Sequence, residues 1–189
     1  MKTIRLLLPV LLMIVFMQSS LAKEKIGLYL TFKDFLSHKL SYESDGGDGN
    51  KINLHDVFGS DKIVVIQNGQ KQVLSKNKVW GYRLDGKDYR FFNDEAYRII
   101  DTDGFYIYGH NTPVPAGKGI KESESFYFSL TPESTIKALS IDNLESAFPK
   151  DTKFRYKIEG FFKTDNELTA YDNHLKEYKL KYLYHQTVK

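Results

Sequence analysis

Four side chains near the end of the chain, His174, Glu177, Lys181 and His185, are of the types that hold metals or move protons. On a single helix the eleven residues from His174 to His185 make about three turns, which puts both imidazoles on one side but roughly 16 Å apart along the axis. They cannot share an ion. His174 and Glu177 supply at most two ligands where a catalytic zinc needs three from the protein, so a solvated helix face is the plainer reading. No metal and no cofactor is expected. A second group, His110, Asn111 and Lys118, lies in GHNTPVPAGKG (Gly109 to Gly119), which reads as a long Gly/Pro loop offering a polar trio for ligand contact. Its Gly-Lys is not a phosphate-binding loop, because Thr112 stands where that motif needs Gly and Gly119 where it needs Ser or Thr.

The third group is aromatic. In VWGYRLDGKDYRFF (Val79 to Phe92), Asp85-Gly86 between two extended runs signals a hairpin with a two-residue turn. That turn pairs Leu84 with Lys87, Arg83 with Asp88, Tyr82 with Tyr89, Gly81 with Arg90 and Trp80 with Phe91. Trp80, Tyr82, Tyr89 and Phe91 then share one face, with Arg83, Asp88 and Arg90 on the other. Such a face is either packed beneath C-terminal helices or, if exposed, a stacking surface for a sugar or peptide. The 13 Phe and 13 Tyr are spread over the whole chain, so rings here mark the core first. The ligand-binding candidates are thus His110, Asn111, Lys118, Trp80, Tyr82 and Tyr89. There is no G-x-S-x-G, no H-E-x-x-H and no Cys, and no catalytic residue is assigned. ESDGGDGN also misses the calcium-loop pattern, since Asp45 and Asp48 are three apart.

The elements that must position these residues divide the chain in two. From about residue 52 to 131 it reads as strands punctuated by turns: Asn68-Gly69 and Asp85-Gly86 make hairpins, and Thr102-Asp103-Gly104 makes a third between AYRIID and FYIYG. Connections this short forbid parallel crossovers, so the sheet is expected to be an antiparallel meander of about six to seven strands. From about 132 to 186 the period becomes helical. Thr131 and Pro132 open TPESTIKAL, SIDNLESAF follows, and FRYKIEGFF places Phe154, Ile158, Phe161 and Phe162 on one stripe. Thr164 and Glu167 form a capping box ahead of a last long helix with Leu168, Tyr171, Leu175, Tyr178 and Tyr182 on one face. A short helix near Phe32, capped by Thr31 and Asp34, precedes the strands. The expected class is α+β, with the C-terminal helical segment packed on one face of the sheet.

The address comes from residues 1–22. Lys2 and Arg5 precede an apolar run from Leu6 to Met17, and Ser20-Leu21-Ala22 closes the segment, which is the layout of a secretory signal peptide. Twelve apolar residues reach roughly 18 Å, short of the roughly 30 Å hydrocarbon core, so no integral membrane span is expected. Residues 23–189 then form one α+β domain, exported to the periplasm or secreted. Once Lys2 and Arg5 leave, 27 basic residues become 25 against 24 acidic ones, a balance that argues against a nucleic-acid partner.

In its signal segment, its GLYLTFKDF opening (Gly27 to Phe35) and its VWGY segment (Val79 to Tyr82), the chain resembles small uncharacterised exported proteins of Bacteroides-type bacteria. That resemblance implies an envelope address and brings no activity or catalytic residue with it. The expected function is a non-catalytic binding or interaction domain for an envelope or extracellular glycan, peptide or protein. The alternatives are a hydrolase acting on envelope or dietary polymers and a structural or assembly accessory protein.

Overall fold

The structure is a computed structural model that describes residues 25–47, 49–55 and 60–187. The proposed signal peptide and Asp48 lie outside the described residues. The chain is α+β and its main sheet is antiparallel, but it has eight strands rather than six or seven. They are β1 (Ile26–Tyr29), β2 (Tyr42–Ser44), β6 (Gly81–Leu84), β7 (Lys87–Phe92), β8 (Glu95–Asp101), β9 (Tyr106–Ala116), β10 (Gly119–Ser129) and β11 (Lys137–Ala138). Their order is β11-β10-β9-β8-β7-β6-β1-β2, so β6 to β11 form an uninterrupted meander and the N-terminal β1 returns to pair with β6. A separate three-stranded sheet, β3 (Lys51–Asn53), β4 (Lys62–Gln67) and β5 (Gln70–Ser75), is inserted between β2 and β6.

Turn chemistry sets the registers. Asn68 and Gly69 have φ of 52° and 77°, and Asp85 and Gly86 have 48° and 78°, the paired left-handed conformations of a type I′ turn. Four of the five pairs expected after Asp85-Gly86 are ladder pairs, from Leu84 with Lys87 to Gly81 with Arg90. Asn93 and Asp94, at φ of 50° and 64°, turn β7 into β8 in the same way without a glycine.

Alternation along these strands sorts the core onto two faces. Leu28, Tyr82 and Phe91 on one face pack with Leu54, Ile63 and Val65, so this half is covered by the small sheet and not by helices. Farther along the same face, Phe105, Ile107 and Phe128 pack with Leu144, Phe154, Ile158, Leu168, Leu180 and Leu183. These last come from α2 (Ile141–Ala147), α3 (Thr152–Phe161), a 3₁₀ turn at Asp165–Thr169 and α4 (Lys179–His185). The opposite face carries Tyr29, Tyr106 and Tyr108 with Phe35 of α1 (Phe32–Leu36) and with Ile136. Helices therefore lie on both faces. The Thr31 and Asp34 capping box on α1 is complete.

The C-terminal third departs most from expectation. TPESTIKAL does not continue past a turn in which Thr131 and Ser134 bond each other reciprocally, because Lys137 and Ala138 are taken up as β11 on the edge of β10. The α2 helix forms as expected, capped by Ser140. In α3 the buried stripe is Phe154, Ile158 and Phe162, while Phe161 points away and is 65% exposed. The long last helix is not formed. Glu167 accepts from the Lys163 N–H rather than closing a box with Thr164. Asp172 then accepts from His174 and Leu175 N–H groups, making a turn that competes with helix, and β12 (Tyr171–Asp172) pairs with β13 (Glu177–Tyr178). Only Lys179–His185 is α-helical, with Leu180, Lys181 and Leu183 as its buried residues. Tyr171, Leu175 and Tyr182 are exposed.

The Gly109 to Gly119 segment is also not a loop. β9 runs to Ala116 and β10 starts at Gly119, so the two form one long hairpin whose outer part is exposed. Pro113 and Pro115 are accommodated because alternation from the closing Ala116–Gly119 pair places both at positions whose N–H would face outward. Two prolines at that spacing also prevent another strand from pairing along this edge.

Candidate functional site

Trp80 is the residue whose position decides the site. The backbone register continues to it, since the Phe91 N–H donates to the Trp80 carbonyl at 2.9 Å. The side chain nevertheless does not join Tyr82, Tyr89 and Phe91. Tyr82 and Tyr89 stack at 4.6 Å between centroids, and Tyr82 lies 5.2 Å from Phe91, beneath the small sheet. Trp80 sits just before β6, half-buried, stacked at 4.5 Å on Phe35 of α1 with its indole N–H donating to the Pro132 carbonyl at 3.3 Å. It has crossed to the opposite face. Gly81 permits this, because its bare Cα lies against the Tyr89 carbonyl where a Cβ would collide.

That crossing brings Trp80 to the face of Arg90. The two line a cleft of about 670 Å³ together with Phe32, Phe92, Lys76, Lys78, Asp94 and Glu133, a volume in the range of ligand pockets. Arg90, on the central strand β7, is 4% exposed. Its Nη1 donates to the Tyr108 hydroxyl at 3.2 Å and to Ser129 Oγ at 3.3 Å, and its Nη2 donates to the Ser134 carbonyl at 2.8 Å. Its guanidinium also lies 5.7 Å from the Phe92 ring centre and 6.0 Å from that of Tyr108. Every one of these acceptors is neutral. Among the described residues no carboxylate reaches ion-pair distance of Arg90. Burial pushes the Tyr108 phenol up, and the bonds from Arg90 and with Ser129 hold it partly back. Lys76 opens the 3₁₀ turn Lys76–Lys78 between β5 and β6, and is 2% exposed. Its ammonium donates to the Asp94 carbonyl at 3.2 Å.

A second cleft of about 240 Å³ adjoins, sharing Lys76 and Asp94 and bounded by Tyr89, Glu95, Arg98, His110 and Asn111. The structure thus brings Tyr89, His110 and Asn111 together, puts Trp80 in the neighbouring cleft, and buries Tyr82 in the core. Lys118 stands apart in the turn at the tip of the exposed hairpin. His110 Nδ1 lies 3.0 Å from the Ala96 carbonyl, which can only accept, so the proton is on Nδ1. Its Nε2 is 3.8 Å from Glu95, and its ring lies 4.9 Å from that of Tyr97. Asn111 donates to Glu122 at 3.0 Å.

Sequence reasoning passed over Arg90, Lys76 and Phe32. The hairpin register did place Arg90 opposite Gly81 on the polar side, but burial of that side requires β9, β10 and the Thr131–Ser134 turn. The C-terminal quartet is not a solvated helix face either. His174 lies in the β12–β13 turn, Glu177 is on β13, and His185 is 3.2 Å from Asp103 and 3.7 Å from Glu177. Lys181 is 1% exposed and 3.3 Å from Asp101. Among the described residues no group of three His, Asp or Glu could hold a metal ion, and no helix is long and apolar enough to cross a membrane.

What fold and site define is an α+β domain with an open cleft of aromatic rings over a buried guanidinium. Compared with protein-family models, curated proteins and solved structures, the chain matches none.

Proposed function

We propose that this chain is an exported, non-catalytic binding domain that takes a glycan in the cleft lined by Phe32, Trp80, Arg90 and Phe92. The observation that carries the reading is the meeting of three rings and a buried cation in one open cleft. Rings offer the C–H faces of a sugar a large apolar surface at small entropy cost, and the surrounding Lys, Asn, Asp and Glu side chains suit its hydroxyls. An extended peptide is less well served. β6 and β7 are both interior to the sheet, so no free strand edge lines the cleft for a peptide to extend. The test is retention on immobilised envelope and plant polysaccharides, compared with a folded Trp80→Ala variant. Retention that survives the substitution would place binding elsewhere.

Asp94 and Glu133 line the same cleft, which favours a glycoside hydrolase as the second reading. Release of reducing ends from a retained polysaccharide, abolished in Asp94→Asn or Glu133→Gln, would choose it over binding alone.

A further inference from the structure

We infer that the ligand of this cleft is an acidic saccharide whose carboxylate is received by Arg90. The inference rests on reading the cleft as a glycan site and adds the charge of the glycan. A guanidinium withdrawn from water is costly unless its charge is balanced, and buried charges are ordinarily paired. Arg90 is 4% exposed, yet its protein acceptors are a phenol, a serine hydroxyl and a backbone carbonyl. These satisfy Nη1 and one N–H of Nη2, and among the described residues no carboxylate lies at ion-pair distance to balance the charge. Among the described residues the Nε–H has no protein acceptor. Arg90 also lines the cleft. Planar guanidinium donors match a carboxylate in bidentate geometry better than they match a lone hydroxyl.

The neighbours agree with this assignment. Lys78 lines the same cleft, so an incoming anion meets a second cation beside Arg90, while Asp94 and Glu133 provide acceptors for hydroxyls elsewhere on the ligand. Tyr108, Ser129 and Ser134 grip the guanidinium from the protein side, so it is held in place before the ligand arrives. A uronic-acid residue combines what the cleft presents: a ring face for Trp80, Phe32 and Phe92, hydroxyls for the polar rim and one carboxylate for Arg90.

The experiment compares an oligogalacturonate with its methyl ester, which keeps the ring and hydroxyls and removes only the charge. Binding to the unaltered protein is followed by calorimetry and by Trp80 fluorescence. The acid is expected to bind at least tenfold more tightly than the ester. That preference should shrink as ionic strength rises from about 0.01 M to about 1 M, where screening shortens from roughly 30 Å to roughly 3 Å. Arg90→Lys, which keeps the charge but not the fork, should lower the preference several-fold while Trp80→Ala weakens acid and ester alike. Equal binding of acid and ester overturns the role of Arg90 and leaves the glycan reading standing. If both saccharides fail and a C-terminal peptide carboxylate binds in an Arg90-dependent manner, the saccharide class is wrong. If none of the three binds, the cleft is not the binding site and both readings fall.

Discussion

Gly81 lies against the Tyr89 carbonyl oxygen so closely that no side chain fits between them. This approach lets the chain cross at the start of β6, placing Trp80 on the Arg90 face while Tyr82 stays beneath the small sheet. The obstacle is backbone and cannot swing aside. Gly81→Ala should therefore lower stability by about 3 kcal/mol, the upper end for overpacking, and withdraw Trp80 from Phe35. Gly160 in α3 is the control, since a Cβ there meets nothing within 4 Å. Gly160→Ala should raise stability by roughly 0.5–1 kcal/mol, the usual difference in a helix interior. Denaturant unfolding of both variants checks the pair, and an unaffected Gly81→Ala would mean that the crossing is not constrained at this point.

Stability should rise between pH 8 and 10 and fall above it. Burial lowers the Lys181 ammonium to about 8, with Asp101 opposing the shift. The unfolded chain, with a lysine near 10.5, binds more protons than the native one in that window, so raising the pH favours the fold. Tyrosines work the other way. Burial and the bond to Asp88 push Tyr29 up to about 12, so from pH 10 upward the unfolded state ionises first and gains. Melting temperatures across pH 7 to about 12 should show the maximum near 10. In Lys181→Met the rise below pH 10 should vanish, whatever the absolute stability of that variant.

Lys181 also fastens α4 to the β8–β9 connection. Its ammonium donates to the Asp103 carbonyl at 2.5 Å and to the Phe105 carbonyl, and lies 3.3 Å from Asp101. Lys181→Ala should cost about 3 kcal/mol, because it strands two carbonyls and a carboxylate. Hydrogen exchange should quicken first at the Phe105 end of β9.

Trp80, the only Trp, should report its half-buried position directly. Emission should lie between that of a core indole and a solvated one, with partial quenching by iodide. Trp80→Ala should cost about 2 kcal/mol, less than a fully buried tryptophan. A deeply blue-shifted, unquenchable emission would return Trp80 to the sheet core.

The exposed end of the β9–β10 hairpin should be dispensable for folding. Residues 113–122 contribute nothing to the three buried clusters. Replacing them by Asn-Gly between Thr112 and Ser123, which already face each other, should change stability by less than about 1 kcal/mol. A collapse of the melting transition would show that this arm is part of the fold.

What the sequence determined alone is what short-range chemistry decides. Asn68-Gly69 and Asp85-Gly86 prefer the left-handed conformations of a tight hairpin, and a two-residue turn leaves one register, so Arg83 meets Asp88, here at 2.6 Å. Thr31 likewise caps its helix, in a box closed by Asp34. Strand order, and with it what covers each face, depends on pairings between distant segments. Tertiary structure therefore decided that the small sheet covers Tyr82, that β11 takes the residues read as a helix, and that β12 and β13 interrupt the last one. It also decided the site. Trp80 and Arg90 lie on opposite sides of the hairpin by alternation and share a cleft only because Gly81 lets the backbone close on Tyr89. Arg90, solvated in an isolated hairpin, is buried because β9, β10 and the Thr131–Ser134 turn fold over it.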